Sequence, residues 1–448
     1  LKLAQRMGQP YSRFLSLSIP SLHRARGPAA MKLPGIHDHR SSNYSMDSSE
    51  AGDTGFPSLL TDDDQKNATG NCPVSRDDFQ VVELLGRGGF GEVKLVRHLR
   101  SGQLYAMKAV EKLALHERRN VGDLSAGSRA KVERDIGVLA RQWRCPFIVE
   151  LFATFQTEEK LYYVFEYCSG GELFDLVRAQ PGGRVSEEAA RFYAAEIVLA
   201  LEHLHSHGIV HRDVRLENVL LSEDGHAKLA DFGGARPGLP EGECDARPSY
   251  VLEFGEGTTE VFYPPEYVGG KLFGKDLDCW QLGVAIFSML TGRLPNPPPL
   301  NTEDEAAEEG AWFGELPDDC TPLASDLCRR LLARERSERL GFPEGASELR
   351  NHGFFEVSPN FWQEAEAREL PVPQLAIKDA RSNRKSSRWA RPTMPNWDSL
   401  SFLRISGFSF VSSTFLRGSR SVTSVRSRGG WSLRSGGSRR SSGAASPA

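Results

Sequence analysis

A chain of 448 residues, 39% hydrophobic and with a formal net charge of −4, is long enough for two or three domains and ordinary enough for a folded core. No run is apolar for long enough to cross a bilayer as a helix. Seven cysteines, scattered and with neither CxxC nor zinc-like spacing, point to a reduced compartment; a cytoplasmic location is expected, with membrane association and the nucleus left open. The small net charge hides an asymmetry, because the last seventy or so residues are basic and the body before them is acidic.

Residues 1–77 are rich in Ser, Gly, Pro, Asp and His without sustained periodicity, and are expected to be disordered. The first thirty residues hold Arg and Ser but no acid, a composition shared with transit peptides; a solvated tail is the plainer reading. If Met7 starts translation, Met7-Gly8-Gln9-Pro10-Tyr11-Ser12 fits the N-myristoylation pattern. One acyl chain on Gly8 would anchor only weakly, and membrane contact is expected only through it.

Phe79 to Leu85 alternates as a strand does. Gly86-Arg87-Gly88-Gly89-Phe90-Gly91-Glu92-Val93 follows, and a second strand begins at once. Glycines between two strands let backbone amides approach phosphates without Cβ obstruction. The dinucleotide-binding version of such a turn needs a helix after the glycines, which this pattern lacks. Tyr105-Ala106-Met107-Lys108 then carries a lysine on an apolar strand, an unusual place for a surface lysine. Ser186 to His205 has helical apolar spacing, opened by Ser186-Glu187-Glu188. It feeds His211-Arg212-Asp213-Val214-Arg215-Leu216-Glu217-Asn218, with Asp231-Phe232-Gly233 close behind. Asp213 can orient and deprotonate a hydroxyl, while Asn218 and Asp231 offer oxygens suited to magnesium.

Together these stretches resemble a eukaryotic protein kinase. Glu-Tyr-Cys-Ser-Gly-Gly-Glu-Leu-Phe at 166–174, Arg191 to Ile197 and Asn351-His352-Gly353-Phe354-Phe355 resemble the AGC group. The resemblance is close over 79–355 and looser over 356–412. It implies an α+β fold of two lobes, a small β-rich one and a large helical one, with ATP and magnesium in the cleft and phosphoryl transfer to Ser or Thr. Gly86, Arg87, Gly88, Gly89, Phe90 and Gly91 would cover the phosphates, and Lys108 would reach them. Glu133, in Lys131 to Ile136, would hold Lys108 from a helix. Val93, Ala106 and Leu220 would line the nucleotide pocket and Phe165 would close its back. Glu166 and Cys168 would offer backbone hydrogen bonds to adenine. Glu172 would touch the ribose, and with Glu217 would read substrate arginines. Asp213 would be the catalytic base, Arg215 would steady the phosphates, and Asn218 and Asp231 would hold metal. Glu266 and Arg339 would form a buried ion pair, and Asp278 to Gly283 would support the catalytic loop from below. The implied partners are proteins with basic residues near the acceptor, met by a monomeric catalytic unit without a dedicated nucleic-acid domain. The expected divisions are 1–77, 78–355, 356–412 and a basic Ser/Arg/Gly-rich tail at 413–448.

Three departures keep an alternative open, a catalytically weak scaffold that binds ATP. Arg215 stands where Ser/Thr kinases of this family usually have lysine, and delivers its charge as a planar fork. The segment from Asp231 to Glu266 is long, and its usual phosphorylated hydroxyl is replaced by Leu252-Glu253-Phe254-Gly255-Glu256. Glu253 or Glu256 is expected to pair with Arg212 in place of a phosphate. Gly137 stands where the family packs a large apolar side chain, so a void and a loosely held helix are expected. In the tail, Asn396-Trp397-Asp398 and Ile405-Ser406-Gly407-Phe408-Ser409-Phe410 resemble the group's aromatic and hydrophobic motifs. These aromatics would brace the Glu133 helix, with Ser409 as phosphoacceptor. Beyond 411, a flexible phosphorylatable tail ranks ahead of an RNA- or membrane-binding one.

Overall fold

The computed structural model describes residues 74–88, 91–112, 126–236, 260–268, 274–296, 312–375, 408–412 and 415, all within the unit 54–448. The expectations for Gly8, Gly89, Phe90, Glu253, Glu256, Asn396 to Asp398 and the tail beyond 415 lie outside the described residues.

Alternating apolar residues build the first sheet from β1 (Phe79–Gly88), β2 (Gly91–His98), β3 (Leu104–Glu111), α1 (Ala126–Trp143) intervening, β4 (Leu151–Gln156) and β5 (Lys160–Glu166). With a late strand from the chain's end the sheet has six antiparallel strands, ordered β1-β2-β3-β5-β4 and then that strand. The register sets Val93 opposite Lys108, Lys108 opposite Tyr163, and Ala106 opposite Phe165. Cross-strand partners share a face, so these five side chains line one side of the sheet. Val96, Tyr105, Met107, Ala109, Tyr162 and Val164 fall on the other side and form a separate apolar cluster with Phe79 and Phe155.

Helix α1 covers the first face through Ala130 and Val138, which pack with Val110, Leu151, Leu161 and Tyr163. The void expected beside Gly137 is absent. A Cβ at Gly137 would meet Leu151 Cβ at 2.8 Å and Cδ2 at 2.9 Å, so Leu151 already fills that space. The helix is well held, with Val132, Glu133, Ile136 and Val138 all buried.

The second lobe begins with β6 (Gly171–Glu172) and α2 (Leu173–Ala179), followed by the long α3 (Glu187–Ser206). Ser186 caps α3 by accepting from the Ala189 amide at 3.3 Å, and Glu187 and Glu188 meet the positive end of its dipole. Strands β7 (Val219–Leu221) and β8 (Ala227–Leu229) complete a small sheet ordered β6-β7-β8. Then come α4 (Pro265–Val268), α5 (Asp276–Thr291), α6 (Pro322–Leu331) and α7 (Phe361–Glu366). Helix α5 is apolar nearly all round and sits in the core, as such a helix must. The last strand, β9 (Phe410–Val411), pairs with β4 through Thr154 opposite Phe410 and Ala153 opposite Val411. The result is the α+β arrangement of two lobes. Among the described residues no helix is long and apolar enough to cross a membrane.

Candidate active site

Three elements converge on Lys108. Its Nζ donates to Glu133 Oε1 at 2.7 Å and to Asp231 Oδ1 at 2.8 Å, joining β3, α1 and the turn after β8. Glu133 is buried, whereas the Asp231 side chain is 48% exposed to the cleft. Burial alone would disfavour the Lys108 charge, but the facing Asp231 and Glu133 carboxylates hold its pKa above the ordinary range. The Lys108 charge in turn holds Asp231 below the usual carboxylate range. Burial pushes Glu133 the other way, above that range, despite the same lysine.

The glycine turn explains itself partly by packing. A Cβ on Gly91 would sit 1.9 Å from the Ala109 carbonyl oxygen, so only glycine lets β2 lie this close to β3. Gly88 faces Gly91 where the two strands close, and Gly86 faces Val93.

Beneath the cleft the catalytic loop is bolted to α5. The His211 and Arg212 amides donate to the two Asp278 carboxylate oxygens at 2.8 and 2.7 Å. The Val214 amide donates to Gln281 Oε1 at 2.9 Å, and Gln281 Nε2 donates back to the Arg212 carbonyl at 2.9 Å. Arg212 and Asp231 both hold positive φ, 71° and 61°, a conformation that non-glycine residues keep only where their surroundings enforce it. The His211 ring bonds the Ala230 carbonyl at 3.0 Å and meets Phe232 edge to face at 5.1 Å, which fixes the Asp231 turn against the loop.

Asn218 Nδ2 donates to Asp213 Oδ2 at 2.7 Å and to the Asp213 carbonyl at 2.8 Å. With the amide nitrogen used on Asp213, the side-chain oxygen is the atom that Asn218 could offer a metal. Burial raises the Asp213 pKa; Arg215 opposes this, and nearby Asp231 adds to it. Among the described residues no group of three or more His, Cys, Asp or Glu could hold a metal ion. A pair of oxygens from Asn218 and Asp231 nonetheless fits magnesium, which keeps phosphate and water in much of its shell.

Arg215 and Glu166 also make contacts within the chain. Arg215 is forked onto Glu217, Nε at 3.0 Å and Nη2 at 2.6 Å, with its guanidinium 4.9 Å over the Phe262 ring. The Glu166 amide donates to the Glu150 carbonyl at 2.9 Å, so a backbone hydrogen bond between adenine and Glu166 would fall on its carbonyl. The Glu166 carboxylate is itself held by Lys228 at 2.7 Å and the Glu150 amide at 2.7 Å. Cys168 is buried, and burial pushes its thiol up to about 12, so it is inert as a nucleophile. Glu172 is exposed at the start of α2, across β6–β7 from Leu220. Val93, Ala106 and Phe165 stand together on the sheet face that carries Lys108.

Sequence reasoning missed Lys228 and Asp276, and named the stretch holding Gln281 without giving Gln281 its own role. Gln281 had a signal, since it lies three residues after Asp278 and so on the same helix face. Lys228, on a three-residue strand, had none. Asp276 joins Arg339 at 2.9 Å beside the Glu266 pair at 2.6 and 3.0 Å, and also takes a fork from Arg336.

Comparison with known proteins agrees with this geometry. The protein kinase domain model matches residues 79–355, more than half of the chain. Human ribosomal protein S6 kinase alpha-4 is 38% identical over 318 residues, 69% of this chain and 39% of that protein. RAC-beta serine/threonine-protein kinase A of Xenopus laevis is 36% identical over 326 residues, 71% of this chain and 62% of its own length. Human RAC-beta serine/threonine-protein kinase is 37% identical over 304 residues, 67% of this chain and 58% of that protein. The chain therefore spans less than two thirds of the length of each of these relatives. With the Lys108, Asp213 and Asp231 constellation assembled between two lobes, the chain belongs to the eukaryotic protein kinase family, within its AGC group.

Proposed function

We propose that the chain is a cytoplasmic serine/threonine protein kinase that transfers the ATP γ-phosphoryl group to hydroxyls in basic sequence contexts. The observation that carries this reading is the triad of Lys108, Glu133 and Asp231, closed at 2.7 and 2.8 Å above a loop that presents Asp213. Magnesium, held by Asn218 and Asp231, would neutralise charge on the phosphates. Lys108, kept protonated by its carboxylates, binds phosphate oxygens, and Glu133 fixes its position. The glycine turn would let backbone amides approach the phosphates. Asp213 orients the acceptor hydroxyl and takes its proton as the new phosphorus–oxygen bond forms and ADP leaves. Its raised pKa makes it a stronger base than an ordinary aspartate. Val93, Ala106, Phe165 and Leu220 would line the adenine pocket, and Cys168 would offer its backbone. Glu172 and Glu217 match positions that read arginines in the family, which supports the basic context, and the two RAC-beta relatives are named serine/threonine-protein kinases, which supports the acceptor class.

The fork between Arg215 and Glu217 favours a second reading, an ATP-binding scaffold of low activity. The two separate in one experiment on the full chain, with magnesium-ATP and matched Ser, Thr and Tyr peptides, each made with and without flanking arginines. Transfer to Ser and Thr peptides, faster with arginines, supports the first reading. ATP that raises the melting temperature without any transfer supports the second.

A further inference from the structure

Arg215 and Glu217 are two residues apart on one short turn and each is about one-third exposed, 32% and 33%. Their contact is a fork on a fork, Nε to Oε2 and Nη2 to Oε1. Such a pair consumes two lone-pair directions of the carboxylate and cancels its charge, and lysine cannot make it. The Phe262 ring beneath the guanidinium, at 4.9 Å, adds a cation–π contact that holds the arginine there. Glu217 thus already has, from its own chain, the ligand that a substrate arginine would supply.

We propose that Arg215 is an internal stand-in for a substrate arginine. It closes the subsite at Glu217, so basic context is read through Glu172 and not through Glu217. This specificity role rests on the kinase reading above. It also accounts for an arginine at a position where the family uses lysine: the planar fork serves the neighbouring carboxylate.

The test scans a single arginine, one position at a time, along the residues preceding the acceptor of a Ser peptide, and measures kcat and KM separately with the full chain. In the wild type, arginine preference is lost in Glu172→Gln and changes by less than about threefold in Glu217→Gln, the scale of an exposed pair. Arg215→Lys opens a new arginine-preferring position, by about tenfold and mainly in KM, the scale of a hydrogen bond to a charged group. That new preference disappears in Arg215→Lys/Glu217→Gln. Melting curves with and without ATP show that each variant is folded. A wild-type arginine preference lost in Glu217→Gln overturns the proposal, as does an Arg215→Lys variant that is active and opens no position. Absence of transfer to every peptide overturns the kinase reading and this proposal with it.

Discussion

In the proposed reaction Asp213 is the base, and its surroundings set a pH dependence. Burial raises its pKa above the ordinary aspartate value of about 3.9, with Asp231 adding to the rise. Transfer needs the ionised form, so the rate falls as pH falls through this raised value and is constant above it. A pH–rate profile of kcat should show that acid limb above the range of a free aspartate. Arg339 makes a second residue-level case. It is fully buried between Glu266 and Asp276, so Arg339→Met strands Glu266, while Asp276 keeps the Arg336 fork. A loss of about 3–5 kcal/mol is expected, read from denaturant melts. The Glu266 half of this network was legible, because both residues belong to recognisable stretches. The Asp276 half was not, because it depends on how the start of α5 meets the Arg336–Arg339 turn. Arg215 divides the same way: its charge is plain in the chain, while its partner is a matter of rotamer and is visible only in three dimensions.

At the scale of elements, the catalytic strands, the loop and α3 were legible, since period and capping agree there. The fate of α1 was not. Gly137 alone suggests a hole, and only the position of Leu151 shows that a larger neighbour has filled it. Gly137→Leu should therefore destabilise by overpacking, by about 1–3 kcal/mol, and Leu151→Ala in the same chain should recover part of the loss. The C-terminal segment grips both faces of the small lobe. Phe408 is fully buried against α1 and Tyr163, edge to face at 5.2 Å, and its carbonyl accepts from the Thr154 hydroxyl. Phe415 lies on the opposite face against Phe79, His98 and Tyr105. Phe408→Ala should cost about 3–5 kcal/mol and lower amide protection in α1 more than in α5, as hydrogen exchange would show. The aromatic pattern of the segment was legible; the addition of a strand to the β4 edge was not, because two residues carry no periodicity.

Across the whole molecule, the lobes are tied by backbone as well as by Lys108. The Val149 amide donates to the Leu229 carbonyl at 3.0 Å and the Leu229 amide to Phe147 at 2.8 Å, so the link after α1 is stitched to β8 beside Asp231. This places the lysine-bearing sheet and the Asp231 turn in one frame, with the cleft between them already organised. Phosphoryl transfer in this organised cleft is the proposed activity. The measurement that tests it most directly is the initial rate of phosphoryl transfer from magnesium-ATP to an arginine-flanked Ser peptide by the full chain, with Asp213→Ala alongside. Transfer by the wild type is expected, with a loss of about a hundredfold or more in the variant and its melting temperature preserved. Equal rates in the two proteins, or none in a wild type that ATP stabilises, would contradict it.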